Sequence, residues 1–199
     1  MYWVYVLGCE NDTYYVGETT KLFSRLHNHI KGTGSVNTKK NKVEKLVGLY
    51  RVPMLYRFLH YKENIDNNKT DDKKQMIKYL KCFNLLDSTK DIANYCENFI
   101  TEEIYNSEKE VRGGKYTKDS IEIPKRNTNY PLCNCGIPCE IKKKNLTPTK
   151  WKLYYCCSLN NIWDEMVESI KDIEIGKRCN YYKEYLDDIE FRVLIQDLI

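Results

Sequence analysis

The chain has 199 residues, 42% hydrophobic and 30% charged, with 17 tyrosines, nine cysteines and a formal net charge of +4. That composition supports a packed core and excludes a wholly disordered chain. No apolar run reaches the roughly 18–20 residues of a membrane-spanning helix. The first residues carry no basic region or small-residue cleavage site, so an intracellular, reducing setting is expected, and there the cysteines call for a role other than disulfides.

Taken in chain order, residues 2–8 are rich in aromatic and β-branched types and predict a strand. A Glu10-Asn11-Asp12 turn and a second strand over 13–16, ended by Gly17, complete a hairpin. Leu22, Leu26 and Ile30 recur every four residues and predict a helix from 20 to 30, on which Arg25 and His29 share a face. Gly32 and Gly34 stop it. A polar, basic loop is expected over 35–42 and a third strand over 43–52. Further on, helices are expected over 73–86 and 89–106. In the latter, Ile92, Tyr95, Phe99 and Ile104 are expected to face the sheet, with Glu97 on another face.

Charge and cysteine are unevenly distributed. Residues 1–126 hold 22 Lys and Arg against 17 acidic residues, whereas 127–199 hold 10 against 11 and carry six of the nine cysteines. Two modules are therefore expected, 1–122 and 132–199, joined by a linker at 123–131 bracketed by Pro124 and Pro131. Between Thr19 and Val52 eight basic residues face a single acidic one, Glu44, the local excess that a phosphate-facing surface needs.

Val4-Tyr5-Val6, succeeded by Tyr15-Val16-Gly17, resembles the paired tripeptides that name the GIY-YIG endonucleases, although Trp3 stands where the first tripeptide has glycine. The downstream residues are similar to that family in their order as well. Arg25 and His29 lie on the next helix, Gly34-Ser35-Val36-Asn37-Thr38 lies in the loop, and Lys45-Leu46-Val47 lies in the strand. Glu97-Asn98-Phe99-Ile100-Thr101 and Val111-Arg112-Gly113-Gly114 resemble the end of the domain in versions carried by large DNA viruses. The resemblance covers about 1–118, with residues 57–92 as an insertion.

It implies an α+β fold with a small three-stranded antiparallel sheet flanked by helices. It also implies hydrolysis of phosphodiester bonds with one Mg²⁺ or Mn²⁺ on Glu97. Arg25 would clamp the scissile phosphate. Tyr5 would act as general base, its pKa depressed by the arginine and the metal. Tyr15 would position water and phosphate, and His29 would relay the proton. DNA contacts are expected from Gly17, Lys21, Lys39, Lys40 and Lys42.

The C-terminal cysteines form a second pattern: Cys133, Cys135 and Cys139, then Cys156 and Cys157, then Cys179-Asn180-Tyr181-Tyr182. Thiolates are soft ligands, and four around Zn²⁺ give a closed structural site that supplies folding free energy to a small β-rich module. Adjacent cysteines alternate faces on a strand, so one of Cys156 and Cys157 should reach the metal. The stretch 131–186 resembles the GRF-type zinc finger, although it lacks that family's Gly-Arg pair. The resemblance implies Cys133, Cys135, Cys157 and Cys179 as the ligands of one Zn²⁺, with Cys139 and Cys156 in reserve. It also implies nucleic-acid contacts from basic and aromatic residues, among them Lys143, Lys150 and Trp151. Residues 159–175, with Met166, Val167 and Ile170, read as an inserted amphipathic helix.

The expected function is a metal-dependent DNA endonuclease of repair, recombination or replication intermediates, in cytoplasm or nucleus, or in host cytoplasm if viral. Its substrate would be double-stranded, branched or single-stranded DNA, with no membrane partner and with a protein partner or homodimer possible. The alternative is a non-catalytic nucleic-acid-binding protein that keeps the nuclease fold.

Overall fold

A computed structural model describes residues 1–53, 55, 56, 59, 89–118, 120–125, 130–145, 151–162, 164–170 and 172–184. Strands β1 (Trp3–Cys9) and β2 (Thr13–Thr19) form the expected hairpin. Its turn places Asn11 and Asp12 at φ of 61° and 53°, a left-handed conformation that Asn and Asp tolerate better than most residues. β3 (Val43–Arg51) pairs antiparallel with the other side of β1. Val4, Tyr5, Val6 and Leu7 are all fully buried, so both faces of this central strand are covered.

Helices α1 (Leu22–Ile30), α2 (Val36–Lys40) and α3 (Lys90–Asn106) supply much of that cover, α3 packing against β1, β2 and β4 (Glu110–Gly113). Thr89 caps α3 by accepting the Ile92 N–H. Its buried stripe differs from the expected one. Ala93, Cys96, Ile100 and Ile104 are fully buried, while Ile92 and Tyr95 lie at the rim and Glu97 turns inward. Likewise, α2 occupies part of the expected loop at 35–42. Five residues are too few for a readable hydrophobic period, and the Ser35 cap is the one local cue.

The sheet is five-stranded and mixed rather than three-stranded and antiparallel. β4 lies parallel beside β2, and β7 (Glu174–Ile175) lies parallel beside β3, giving the order β4-β2-β1-β3-β7. The three expected strands are its centre. The two added edge strands span four and two residues, too short to show alternation.

A second, antiparallel sheet contains β5 (Glu140–Asn145), β6 (Trp151–Cys156) and β8 (Tyr182–Glu184). The helix expected over 159–175 is a 3-10 turn at Ser158–Asn161, a short α4 (Asp164–Ser169) and then β7. Met166 and Ile170 are buried and Val167 is exposed.

The cysteine-rich half seats on β3 through specific polar contacts. Tyr50 O–H donates to the Pro138 carbonyl (2.6 Å) and Gly176 N–H to the Leu46 carbonyl (2.8 Å). The buried Glu140 carboxylate accepts from Arg51 N–H (3.0 Å), Asn161 Nδ2 (2.6 Å) and Ile141 N–H (2.8 Å). Ile123 and Tyr130, from the expected linker, are buried, and Tyr130 meets Phe99 and Tyr155 edge-on. The helix expected at 73–86, and most of the 57–92 insertion around it, lie outside the described residues. Among the described residues no helix is long and apolar enough to cross a membrane.

Candidate active site

Tyr5 stands directly opposite Gly17 across the β1–β2 hairpin. A Cβ on Gly17 would overlap the Tyr5 hydroxyl, so the glycine is what lets the tyrosine side chain lie across β2. Gly17 is therefore buried beneath Tyr5. One α1 turn brings Arg25 and His29 to the same place. Arg25 Nε donates to the Tyr5 oxygen (3.2 Å), and His29 Nε2 lies 2.8 Å from it. Tyr15 completes the cluster, its ring 4.9 Å from the imidazole and 6.4 Å from the Tyr5 ring. His29 is 1% exposed, a core residue of α1 rather than a surface one.

Glu97 reaches the same cluster from α3. It is buried, accepts the backbone N–H groups of Gly114 and Glu18, and its charge acts on both tyrosines. Glu102, the neighbouring acidic residue, instead accepts the Tyr116 hydroxyl. Burial pushes the Glu97 carboxyl up to about 7, the Glu18 carboxylate adding and Arg25 opposing. An inward carboxylate beside a second one fits a divalent cation, whose charge would relieve both.

The tyrosine electrostatics bear on the expected role of Arg25. Burial raises the Tyr5 hydroxyl above its ordinary value, and the charge of Tyr15 adds to this; Arg25 offsets only part of it. The protein's own groups therefore do not acidify the Tyr5 phenol. His29 moves the other way, to about 4, through burial and the nearby Arg25 cation. It is a neutral imidazole at neutral pH.

A cleft continues from Tyr15 between α2 and β4, lined by Asn37, Lys40, Asn41, Glu110 and Arg112. The parallel register pairs Tyr15 with Arg112, which places them on one face of the sheet. Lys21, Lys39, Lys40 and Lys42 are exposed on this half. Lys150 and the side chains of Lys143 and Trp151 lie outside the described residues. Arg112 was not legible as a cleft residue, because only the β2–β4 pairing brings it beside Tyr15.

The Sγ atoms of Cys133, Cys135, Cys157 and Cys179 all lie within 4.8 Å of one another, close to the ~3.8 Å that a tetrahedron with Zn–S bonds of ~2.3 Å requires. A hydrogen bond from the Cys133 thiol draws Cys157 down to about 5, although burial opposes it. Backbone N–H groups of Cys179 and Leu159 reach the same sulfur. Such a donor set fits a thiophilic metal. No disulfide is formed by the described cysteines, and Cys139 and Cys156 are buried outside the cluster.

Tyr5, Tyr15, Arg25 and His29 thus meet in one cluster, with the Glu97 carboxylate close enough to act on both tyrosines. The family model described as the GIY-YIG catalytic domain matches residues 1–100, just over half of the chain. The chain belongs to the GIY-YIG family and is a phosphodiester-hydrolysing endonuclease. Nucleases of this family generally use divalent metals and imply a DNA substrate. No curated protein and no solved structure gives a significant match.

Proposed function

We propose that the protein is a metal-dependent DNA endonuclease of repair, recombination or replication intermediates, stabilised by one structural Zn²⁺ on Cys133, Cys135, Cys157 and Cys179. The observation that carries this is the convergence of Tyr5, Arg25 and His29, joined by hydrogen bonds, with the inward Glu97.

Glu97 would hold Mg²⁺ or Mn²⁺, which supplies charge neutralisation to the phosphate and the leaving oxygen. Tyr5 takes a proton from the attacking water as its own passes to His29 Nε2. The water oxygen bonds to phosphorus and the bond to the leaving oxygen breaks. Arg25 steadies the Tyr5 oxygen through Nε while its planar guanidinium faces the scissile phosphate. Tyr15 orients water and phosphate. Coupling the two proton movements avoids a free Tyr5 phenolate, which burial disfavours, in exchange for a transient imidazolium that burial and Arg25 oppose.

The cleft with Lys40 and Arg112 would carry the flanking DNA backbone. We read 1–122 and 132–199 as two modules packed together, the second GRF-like. In it the Tyr154 and Tyr182 rings lie 4.8 Å apart, with Tyr182 exposed, an arrangement on which an unpaired base could stack.

A nicking assay on plasmid, flap and branched DNA with Mg²⁺ or Mn²⁺ tests the proposal. The wild type should cut at least one of them and Glu97→Ala none. A wild type that cuts nothing, or a Glu97→Ala variant that cuts equally well, would remove the catalytic assignment.

A further inference from the structure

We propose that Thr38 is a positioning residue of the nuclease site. Its hydroxyl, backed by Ser35, holds His29 in the tautomer that keeps the Nε2 lone pair aimed at the Tyr5 hydroxyl. This rests on the reading in which Tyr5 passes its proton to His29.

The local structure is built around that hydroxyl. α2 has five residues, and Thr38, at 1% exposure, is its one buried member. A helix whose single buried residue carries a hydroxyl contributes little apolar burial; it is placed to present a polar atom. Ser35 caps the helix by accepting the Thr38 N–H (3.2 Å). Gly34, just before it, leaves room for the imidazole, since a Cβ there would overlap Nδ1 and Cγ of His29. The Gly34-Ser35-Val36-Asn37-Thr38 stretch thus wraps the Nδ1 edge of the ring.

One assignment of protons satisfies these contacts together. Thr38 Oγ1 lies 2.8 Å from His29 Nδ1, 3.0 Å from Ser35 Oγ and 3.3 Å from the Ser35 carbonyl oxygen. The carbonyl can only accept; it takes the Lys39 N–H (3.0 Å) and keeps a second lone pair to which the single Thr38 hydroxyl proton can go. In that arrangement Thr38 Oγ1 accepts from the imidazole, and Nδ1 carries the hydrogen. Nε2 is left with a lone pair 2.8 Å from the Tyr5 oxygen. That oxygen already accepts from Arg25 Nε (3.2 Å), so its own proton points to His29. The opposite tautomer would set two donors, Arg25 Nε and His29 Nε2, against the Tyr5 oxygen.

The groups around the imidazole agree with a neutral ring. Tyr5 faces it from β1, Tyr15 from β2 and Thr38 from α2, and Arg25 lies one turn away on α1. The single cation among them opposes a second charge on His29. Thr38 therefore acts by selecting one neutral form, the Nδ1–H form that a free imidazole disfavours.

The test uses the full-length protein with three variants: Thr38→Val, which keeps the shape and loses the hydroxyl, Thr38→Ser, which keeps the hydroxyl, and His29→Ala. ¹⁵N NMR of the imidazoles is tractable because the chain has three histidines. Wild type and Thr38→Ser should show a protonated Nδ1 and an unprotonated Nε2 at His29, and Thr38→Val should show the opposite or a mixture. Single-turnover cleavage should fall about 10–100-fold in Thr38→Val, the usual effect of removing the partner of a functional imidazole, with DNA affinity unchanged and the serine variant close to wild type. A wild-type His29 protonated on Nε2 would overturn the inference, and so would a Thr38→Val enzyme of wild-type rate beside an inactive His29→Ala. A fully active His29→Ala would instead overturn the catalytic reading beneath it. The wild-type and serine spectra decide the tautomer even if the valine variant folds poorly.

Discussion

Gly17 and Tyr5 face each other across the hairpin, and the Tyr5 hydroxyl fills the space where a Gly17 side chain would stand. The glycine and the tyrosine are thus one structural unit. In Gly17→Ala the phenol must leave its contacts with Arg25 and His29. The expected result is a cleavage rate at least about 100-fold lower and a stability loss of about 1–3 kcal/mol. Single-turnover kinetics and thermal melting would measure the two effects.

Glu97 carries a pH signature. Its carboxyl, pushed up to about 7, must lose its proton to hold a cation, so apparent affinity for Mg²⁺ or Mn²⁺ should rise as pH passes through about 7. In the metal-free protein the sign for stability is the reverse. A folded-state pKa above the unfolded value means that the folded chain binds the proton more tightly. Stability from this group is greatest below about 4.5 and is lost as pH rises through about 7. Glu97→Gln should therefore melt like wild type near pH 5 and above it near pH 8, by up to about 3 kcal/mol, while cutting no DNA. Calorimetry without metal, at the two pH values, measures the difference.

Metal removal should reach beyond the cysteines. β7, between Cys157 and Cys179 in sequence, pairs with β3, and Glu140 and Tyr50 tie the same half to that strand. Purified protein should contain about one zinc per chain, and a strong chelator should lower both its melting temperature and its nuclease activity. Cys157→Ser should lose the metal and Cys139→Ser should keep it, as read by elemental analysis.

The cleft beside Tyr15 makes a salt-dependence prediction. Lys40→Ala and Arg112→Ala should each weaken DNA binding across sequences and reduce the slope of log affinity against log salt by about one. Fluorescence anisotropy of labelled DNA over a salt series measures that slope.

Periodicity and spacing made part of the molecule legible in the sequence. The hairpin, β3 and α1 carry runs that a two- or four-residue period can detect. The four cysteines brought together by the structure are singled out through the resemblance to a known zinc finger, whereas their own pattern leaves Cys139 and Cys156 open. The features that stayed hidden depend on tertiary pairing. β4 and β7 are edge strands whose partners lie far away in sequence. On α3, inward Glu97 and Thr101 interrupt the apolar pattern, while Ala93 and Cys96, weak markers of a core, occupy fully buried positions. Thr38 gave no apolar signal at all, since what buries it is a hydrogen bond to a histidine that is itself buried.

The most direct test of the central claim is single-turnover DNA cleavage by Tyr5→Phe with Mg²⁺ or Mn²⁺. That change removes the oxygen shared by Arg25 and His29 and leaves the ring in place. Cleavage at least about 100-fold slower than wild type, with DNA affinity and melting temperature little changed, is the expected result. A Tyr5→Phe enzyme that cuts at the wild-type rate would contradict a proton-transferring tyrosine at this site.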